Sequence, residues 1–397
     1  MEFTSLLDYY QRSRFNPVPI SLGERKKWLS HRAKRQNLYE RHLGIPLALL
    51  QDKEVLEFGC NSGENAAVLA SFGARLTLAE PNGQVFERLF LTFRNLGLEG
   101  RIADLVETTL GGFHSEKTFD LVIAEGFLYT LPDREAMLQK LLGFIKPGSL
   151  GVISFNDRHG CLLEMLRRAV LKRSCQLCGI DDWSTERGLT IAQRLFQEDF
   201  QTLNASRPFD AWWRDTLINP FVTHDHLWDY QRVLAVLTSV GGNFWACSPK
   251  WISPQAFAWY KNVPSRQAVL EEVRQHWTEQ FLYFLFGTAS TGHARNVDKA
   301  TIEESASVTN SWSKFSLTGD TKLIFQPSGL FQFLAKSEDV HLVQLAREME
   351  QVVASLLQDS VDDLTNTYHS ATLLRRTWGA PYHYLAFQRD GEEQRDS

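Results

Sequence analysis

Between residues 51 and 158 the apolar positions follow two alternating periods. Lys53–Phe58 (KEVLEF), Arg75–Ala79 (RLTLA), Asp104–Thr108, Phe119–Ala124 (FDLVIA) and Gly151–Phe155 (GVISF) are short apolar runs that predict buried strands. Between them, Asn65–Phe72, Val85–Leu96 and Arg134–Phe144 have helical spacing, with Phe86, Leu89, Phe90 and Phe93 on one side of the second. Strands separated by helices predict an α/β core at 51–158: a parallel sheet with right-handed crossover helices on both faces. Residues 1–50 read as a helical segment. Its apolar positions Trp28, Leu29, Leu38 and Tyr39 stand among Arg25, Lys26, Lys27, Arg32, Lys34 and Arg35. That pattern suits a solvated basic face on a packed helix, with a phosphate or RNA contact as the alternative.

Past the core the pattern changes. Residues 159–262 predict an aromatic-rich helical cap, with helices at Cys161–Leu171 and Leu227–Val240 and a strand at Asn243–Ser248. Trp212, Trp213, Trp228, Trp245, Trp251 and Trp259 crowd into this stretch. Residues 263–379 read as a helical insertion (Gln267–Phe286, Val340–Leu357), broken by a polar Ser/Thr-rich loop near 287–320 expected to act as a lid. A strand pattern returns at Tyr382–Gln388, within a closing segment 380–390. The charged tail 391–397 is expected to be disordered.

Composition narrows the classes of function. The 42 basic and 47 acidic side chains leave a net charge of −5 over 397 residues, which argues against a protein built mainly to hold nucleic acid. No apolar run approaches the ~20 residues of a membrane span, and MEFTSLLDYYQRSR lacks a signal-peptide core. Five cysteines in so long a chain do not make a disulfide framework, so a cytoplasmic setting is expected. A cytosolic enzyme or a large binding protein remains.

The chemistry concentrates at Glu57-Phe58-Gly59-Cys60-Asn61-Ser62-Gly63. A strand ends in an acid and a glycine turn opens directly into a helix. Glycine permits the sharp turn and close approach of a ligand, while the helix offers free N–H groups. Seventeen residues beyond Gly63, Glu80 closes the second strand, where a carboxylate can accept both ribose hydroxyls. A glycine turn with a second-strand acid at this distance points to an adenosine-type ligand.

With these features the sequence resembles the class I S-adenosylmethionine-dependent methyltransferases. EFGCNSG fits the family's acid-x-Gly-x-Gly-x-Gly, with Asn61 at the middle glycine, a residue that tolerates left-handed backbone angles. Glu80, Val106–Leu110, FDLVIAE at 119–125 and KPGS at 146–149 continue the likeness. The resemblance implies a Rossmann-like sheet with an antiparallel last strand, Asn243–Ser248 and Tyr382–Gln388 as its final pair, and large helical insertions. It implies S-adenosylmethionine held by Glu57, Gly59, Asn61, Gly63, Glu80, Pro81, Thr109, Leu110, Glu125, Gly126 and Phe127. Thr109 takes the place where the family often has an acid against the adenine amino group.

Residues near strand ends supply the remaining candidates. His159, after the fifth strand, could be a catalytic base oriented by Asp157, or a hydrogen-bonded structural histidine. Tyr129, Trp212, Trp213 and His224 are candidates to box an acceptor by stacking or cation–π attraction; the tryptophans could equally be helical core. Asn219-Pro220-Phe221 reads as a turn. Cys175-x-x-Cys178 with His159 and Cys161, or His224 with His226, could bind zinc, but neither completes a convincing ligand set, so no metal is expected. The reading is a methyltransferase acting on an O or N nucleophile of a small molecule, with neither a nucleic-acid nor a membrane partner. The alternatives are a methyltransferase of RNA or protein and a catalytically silent S-adenosylmethionine-binding partner.

Overall fold

The computed structural model describes residues 3–14, 25–203, 207–250, 265–287 and 297–391. Through the first half run α1 (Leu6–Ser13), α2 (Arg25–Asn37), β1 (Glu54–Phe58), α3 (Glu64–Ser71), β2 (Arg75–Ala79), α4 (Phe86–Asn95), β3 (Ile102–Val106), β4 (Phe119–Ala124), α5 (Arg134–Gly143) and β5 (Ile145–Asn156). There follow α6 (Leu162–Leu177), α7 (Glu186–Thr202), α8 (Phe209–Trp212), α9 (Tyr230–Ser239), β6 (Gly242–Ser248), α10 (Arg266–Glu279), α11 (Phe281–Phe286) and α12 (Lys299–Thr318). The chain ends with α13 (Ser328–Ala335), α14 (Val340–Ser355), α15 (Val361–Ser370), α16 (Thr372–Arg376) and β7 (Tyr382–Arg389). Two compact units result: Met1–Phe155 with Tyr230–Arg274 and His383–Ser397, and Asn156–Asp229 with Gln275–Tyr382.

The first unit is built on a seven-stranded sheet of order β3-β2-β1-β4-β5-β7-β6. Strands β1 to β5 run parallel, and β7 pairs antiparallel with β6. Helices cover both faces, so the central strands are apolar almost throughout: Val55, Leu56, Leu76, Leu78, Leu121, Val122 and Ile123 are all buried. The spacing of FD and KPG has a structural cause. Asp120 on β4 accepts the Glu54 N–H at 3.0 Å and pairs with Lys146 on β5 at 2.9 Å, tying three strands together. Strand order reverses between β1 and β4, the place where open α/β sheets form their ligand crevice. The final strand pair falls where the sequence predicted it, with β7 inserted between β5 and β6.

The second unit is helical, and its centre is α6, buried from Leu162 to Leu171. It packs on α12, which overturns the lid expected near 287–320: residues 299–318 are a twenty-residue helix, and residues 288–296 lie outside those described. Polarity misled the reading. Ser305, Thr309, Ser313 and Ser316 are buried, and Ser305, Thr309 and Ser316 return their hydroxyl protons to carbonyls of their own helix at 2.7–3.0 Å. Such a residue behaves as a small, internally satisfied side chain, so α12 can approach its neighbour closely.

Candidate functional site

In the first unit the chain leaves β1 through three left-handed residues: Gly59 (φ +68°), Asn61 (+49°) and Gly63 (+80°). A Cβ on Gly59 would lie 3.0 Å from the Phe127 ring, and one on Gly63 the same distance from Phe93. Phe127, just past β4, is thereby set against the glycine turn, and Gly126 donates its N–H to Ser154 Oγ at 2.9 Å. Asn61 fills the middle position by accepting the Ser62 N–H on its own side chain at 2.7 Å, and α3 starts at Glu64.

Glu80 locks this turn to the end of β2. One carboxylate oxygen accepts the Asn61 N–H at 2.7 Å and the other the Asn82 N–H at 2.8 Å. Burial raises its pKa against the pull of those two N–H groups. Each oxygen keeps a lone pair for a further donor. Pro81 follows, half-buried, and Gln11 of α1 reaches Asn82 at 3.4 Å. Thr109 is exposed, its hydroxyl closing a turn onto the Gly112 N–H at 3.1 Å, and Leu110 is buried. The acid nearer the β2 turn is Glu107, the first residue after β3: a Cβ on Gly83 would come within 2.6 Å of its carboxylate. Sequence reasoning missed Glu107 by extending the strand two residues too far.

At the end of β4 stands Glu125, beside Gly59 in the sheet because Ala124 pairs with Phe58. Its carboxylate accepts from Arg35 Nη2 at 2.5 Å and from Tyr39 Oη at 3.1 Å, and lies 3.4 Å from Tyr384 Oη. Arg35 also donates to Tyr384 at 3.1 Å and to Tyr39 at 3.3 Å. Sequence reasoning counted Arg35 among solvated cations; it is only 7% exposed, whereas Arg25, Lys26 and Lys34 on the same helix are exposed. The missed signal is spacing. Trp28, His31, Arg35 and Tyr39 recur at three- and four-residue intervals on one buried face. Burial, then the neighbouring Glu125 and Glu80, push Glu57 up to about 8. Burial and Arg35 pull His31 down to about 4.

Residues 30–214 match the family model described as a methyltransferase domain. Within those residues the chain carries a methyltransferase domain, and the strand order agrees with the likeness read in the sequence. A tRNA U34 carboxymethyltransferase of Actinobacillus pleuropneumoniae serotype 7 is 25% identical over 238 residues, 53% of this chain and 73% of that protein. Among solved structures, the CcbJ methyltransferase of Streptomyces caelestis is 18% identical with a TM-score of 0.27, over 29% of this chain and 47% of that one. PKMT2 of Rickettsia typhi, in complex with AdoHcy, is 15% identical with a TM-score of 0.40, over 63% and 50%. The chain spans about half the length of both solved structures.

Other candidates of the methyltransferase lie in its helical unit. His159 is 3% exposed, and both ring nitrogens are engaged: Nδ1 with Ser305 Oγ at 2.9 Å and Nε2 with Asp229 at 3.1 Å. The rings of Trp277 and Phe281 pack on it at 5.5 and 5.3 Å. Asp157 accepts the backbone N–H groups of His159 and Gly160, and burial pushes it up to about 6. A base must have a nitrogen open toward its substrate, so this geometry favours the structural histidine. Trp212 and Trp213 are 2% and 1% exposed. The Trp212 ring packs among Phe196, Phe200, Phe209 and Trp378 at 5.3–6.3 Å, which makes it helical core instead of an acceptor box. His224 receives a backbone tie from its own N–H to Ser313 Oγ at 2.9 Å, and burial lowers its pKa. Tyr129, in the first unit, is 4% exposed on the turn after β4. Among the described residues no three His, Cys, Asp or Glu side chains gather as a metal site, and all five cysteines are free thiols.

Proposed function

We propose that this domain transfers the methyl group of S-adenosylmethionine to an oxygen or nitrogen nucleophile of a small molecule. One observation carries the donor assignment: Glu80, fixed by two backbone N–H bonds beside a glycine turn whose cradle a Cβ would fill, at the point where strand order reverses. Glu80 would accept the ribose hydroxyls, Glu107 would face the adenine, and Gly59, Gly126 and Phe127 would line the path toward the methionine end. When bound, the donor supplies an electrophilic methyl on a sulfonium. The protein's task is then alignment and exclusion of water. Phe127, set against Gly59, supplies an apolar wall for that task.

A small acceptor is the reading the net charge of −5 suits, since a protein built to hold a nucleic acid would carry a basic excess. The free thiols suit a cytoplasmic setting, and no helix of the described residues is long and apolar enough to cross a membrane. A second reading, methyl transfer to RNA, is favoured by the exposed Arg25, Lys26 and Lys34 and by the tRNA-modifying relative. Titration calorimetry with S-adenosylhomocysteine, followed by turnover assays on small-molecule and RNA pools, tests both. Micromolar or tighter donor-product binding with turnover only in the small-molecule pool is expected. RNA turnover with steeply salt-dependent binding would replace the first reading by the second.

A further inference from the structure

We infer that Asn61 is a site of spontaneous modification: its carboxamide is set to lose ammonia to the backbone nitrogen of Ser62, closing a succinimide that water opens to aspartate or isoaspartate. Both groups enter one five-membered ring, so the side chain and the next nitrogen must lie on the same side of the Cα–C bond. Neither helix nor strand dihedrals provide that arrangement. At Asn61 the turn imposes it. The Ser62 nitrogen lies 2.7 Å from Asn61 Oδ1. With a carbonyl bond of ~1.2 Å, the carboxamide carbon then stands about 3–4 Å from that nitrogen, near an attacking distance. The left-handed backbone that folds Ser62 back (φ +49°) is held on both sides. Glu80 accepts the Asn61 N–H at 2.7 Å, and Cys60 O accepts the Gly63 N–H at 2.9 Å. Asn61 is half-buried, so water reaches it.

Two other asparagines show what the backbone contributes. Asn82-Gly83 is the more reactive dipeptide, because glycine has no side chain to hinder attack. Yet Asn82 has ψ 87°, which turns the Gly83 nitrogen nearly opposite Cβ, and its Oδ1 accepts from Gln84 N–H instead, at 3.3 Å. Asn310-Ser311 repeats the Asn61 dipeptide inside α12, where the helix ladder takes the Ser311 N–H.

The chemistry needs only water. Hydroxide takes the Ser62 N–H proton, the nitrogen bonds to the carboxamide carbon, and the side-chain amino group leaves as ammonia with a proton from water. Water then cleaves either C–N bond of the imide. The product sets a carboxylate beside Glu80, which already receives the Asn61 N–H. In isoaspartate the main chain also runs through Cβ and the turn gains a bond. On the donor reading above, converted molecules therefore lose the ribose contact of Glu80.

The test holds the whole protein for weeks at neutral and at mildly alkaline pH, with a parallel sample in urea, and then weighs and chromatographs its peptides. In the native protein Asn61 should convert at least about tenfold faster than Asn310, faster than Asn82, and faster still at the higher pH. In urea the two Asn-Ser sites should converge and Asn82 should overtake both. Native conversion at Asn61 no faster than at Asn310, or slower than its own rate in urea, overturns the proposal. Asn61→Gly, which accepts positive φ without strain, should abolish the mass change and keep its starting S-adenosylhomocysteine affinity throughout, while wild type loses binding sites in step with conversion. Conversion with undiminished binding would uphold the modification and strike the Glu80 donor assignment, so the two readings fail separately.

Discussion

Glu80 and Glu57 stand one strand apart, yet their surroundings give them different work. Both Glu80 oxygens are fixed by backbone N–H groups, so its geometry is set before any ligand arrives. Glu80→Ala should weaken S-adenosylhomocysteine binding by about 1.5–3 kcal/mol, the worth of hydrogen bonds to a charged group; calorimetry showing unchanged affinity would remove the ribose assignment. Glu57 has no such support, and burial with Glu125 and Glu80 nearby, only partly offset by Arg35, raises it to about 8. A group whose pKa rises on folding stabilises the fold below its ordinary range and loses that contribution as pH climbs through the raised value. The free protein should therefore lose stability between about pH 5 and 8. Melting curves at pH 6, 7 and 8 check the sign, and Glu57→Gln should flatten the slope. The places of Glu57 and Glu80 in the fold were legible in the sequence, because one lies late in an apolar strand run beside a glycine turn and the other just past the next such run. Arg35 was not, because a run of cations reads as solvated unless its three- and four-residue phase with Trp28, His31 and Tyr39 is followed.

Elements with strong periodicity were the legible ones. Four of the parallel strands, the crossover helices and the final strand pair fell within a few residues of expectation, since buried strands must be apolar; β5 begins at Ile145, ahead of the expected Gly151, because its first residues include the polar Lys146-Pro147-Gly148-Ser149. The element that escaped was α12, whose inward face is written in serine and threonine. Its buried Ser305, Thr309 and Ser313 keep side-chain volume low on that inward face. Ser313→Leu should thus overpack its buried surroundings and cost about 1–3 kcal/mol, read as a fall in the melting temperature. A mobile lid would have accepted the same leucine at no cost. The substitution also removes the hydroxyl that receives the His224 N–H. Ser313→Ala separates the two effects by removing the hydroxyl without adding bulk, and should cost the smaller part.

At the scale of the molecule, the chain divides its chemistry unevenly between a sheet unit that carries the proposed donor crevice and a helical unit whose core is aromatic. Tryptophan density in the sequence suggested an acceptor box because stacking surfaces and core aromatics share one residue type. Only burial tells them apart. Trp212, 2% exposed and ringed by Phe196, Phe200, Phe209 and Trp378, fills the helical core. Trp212→Ala removes a side chain whose loss from a packed core costs about 3–5 kcal/mol. The expected outcome is a large drop in unfolding temperature by calorimetry, with S-adenosylhomocysteine affinity, measured well below that temperature, within about twofold of wild type. A tryptophan that boxed the acceptor would give the reverse: an unaltered melting curve and a raised KM for the acceptor. Trp212→Phe then grades the result. A core position regains most of the lost stability when an aromatic ring of smaller volume returns, because the cavity shrinks with each restored carbon. A stacking position would follow the electronics of the ring and leave stability where it was.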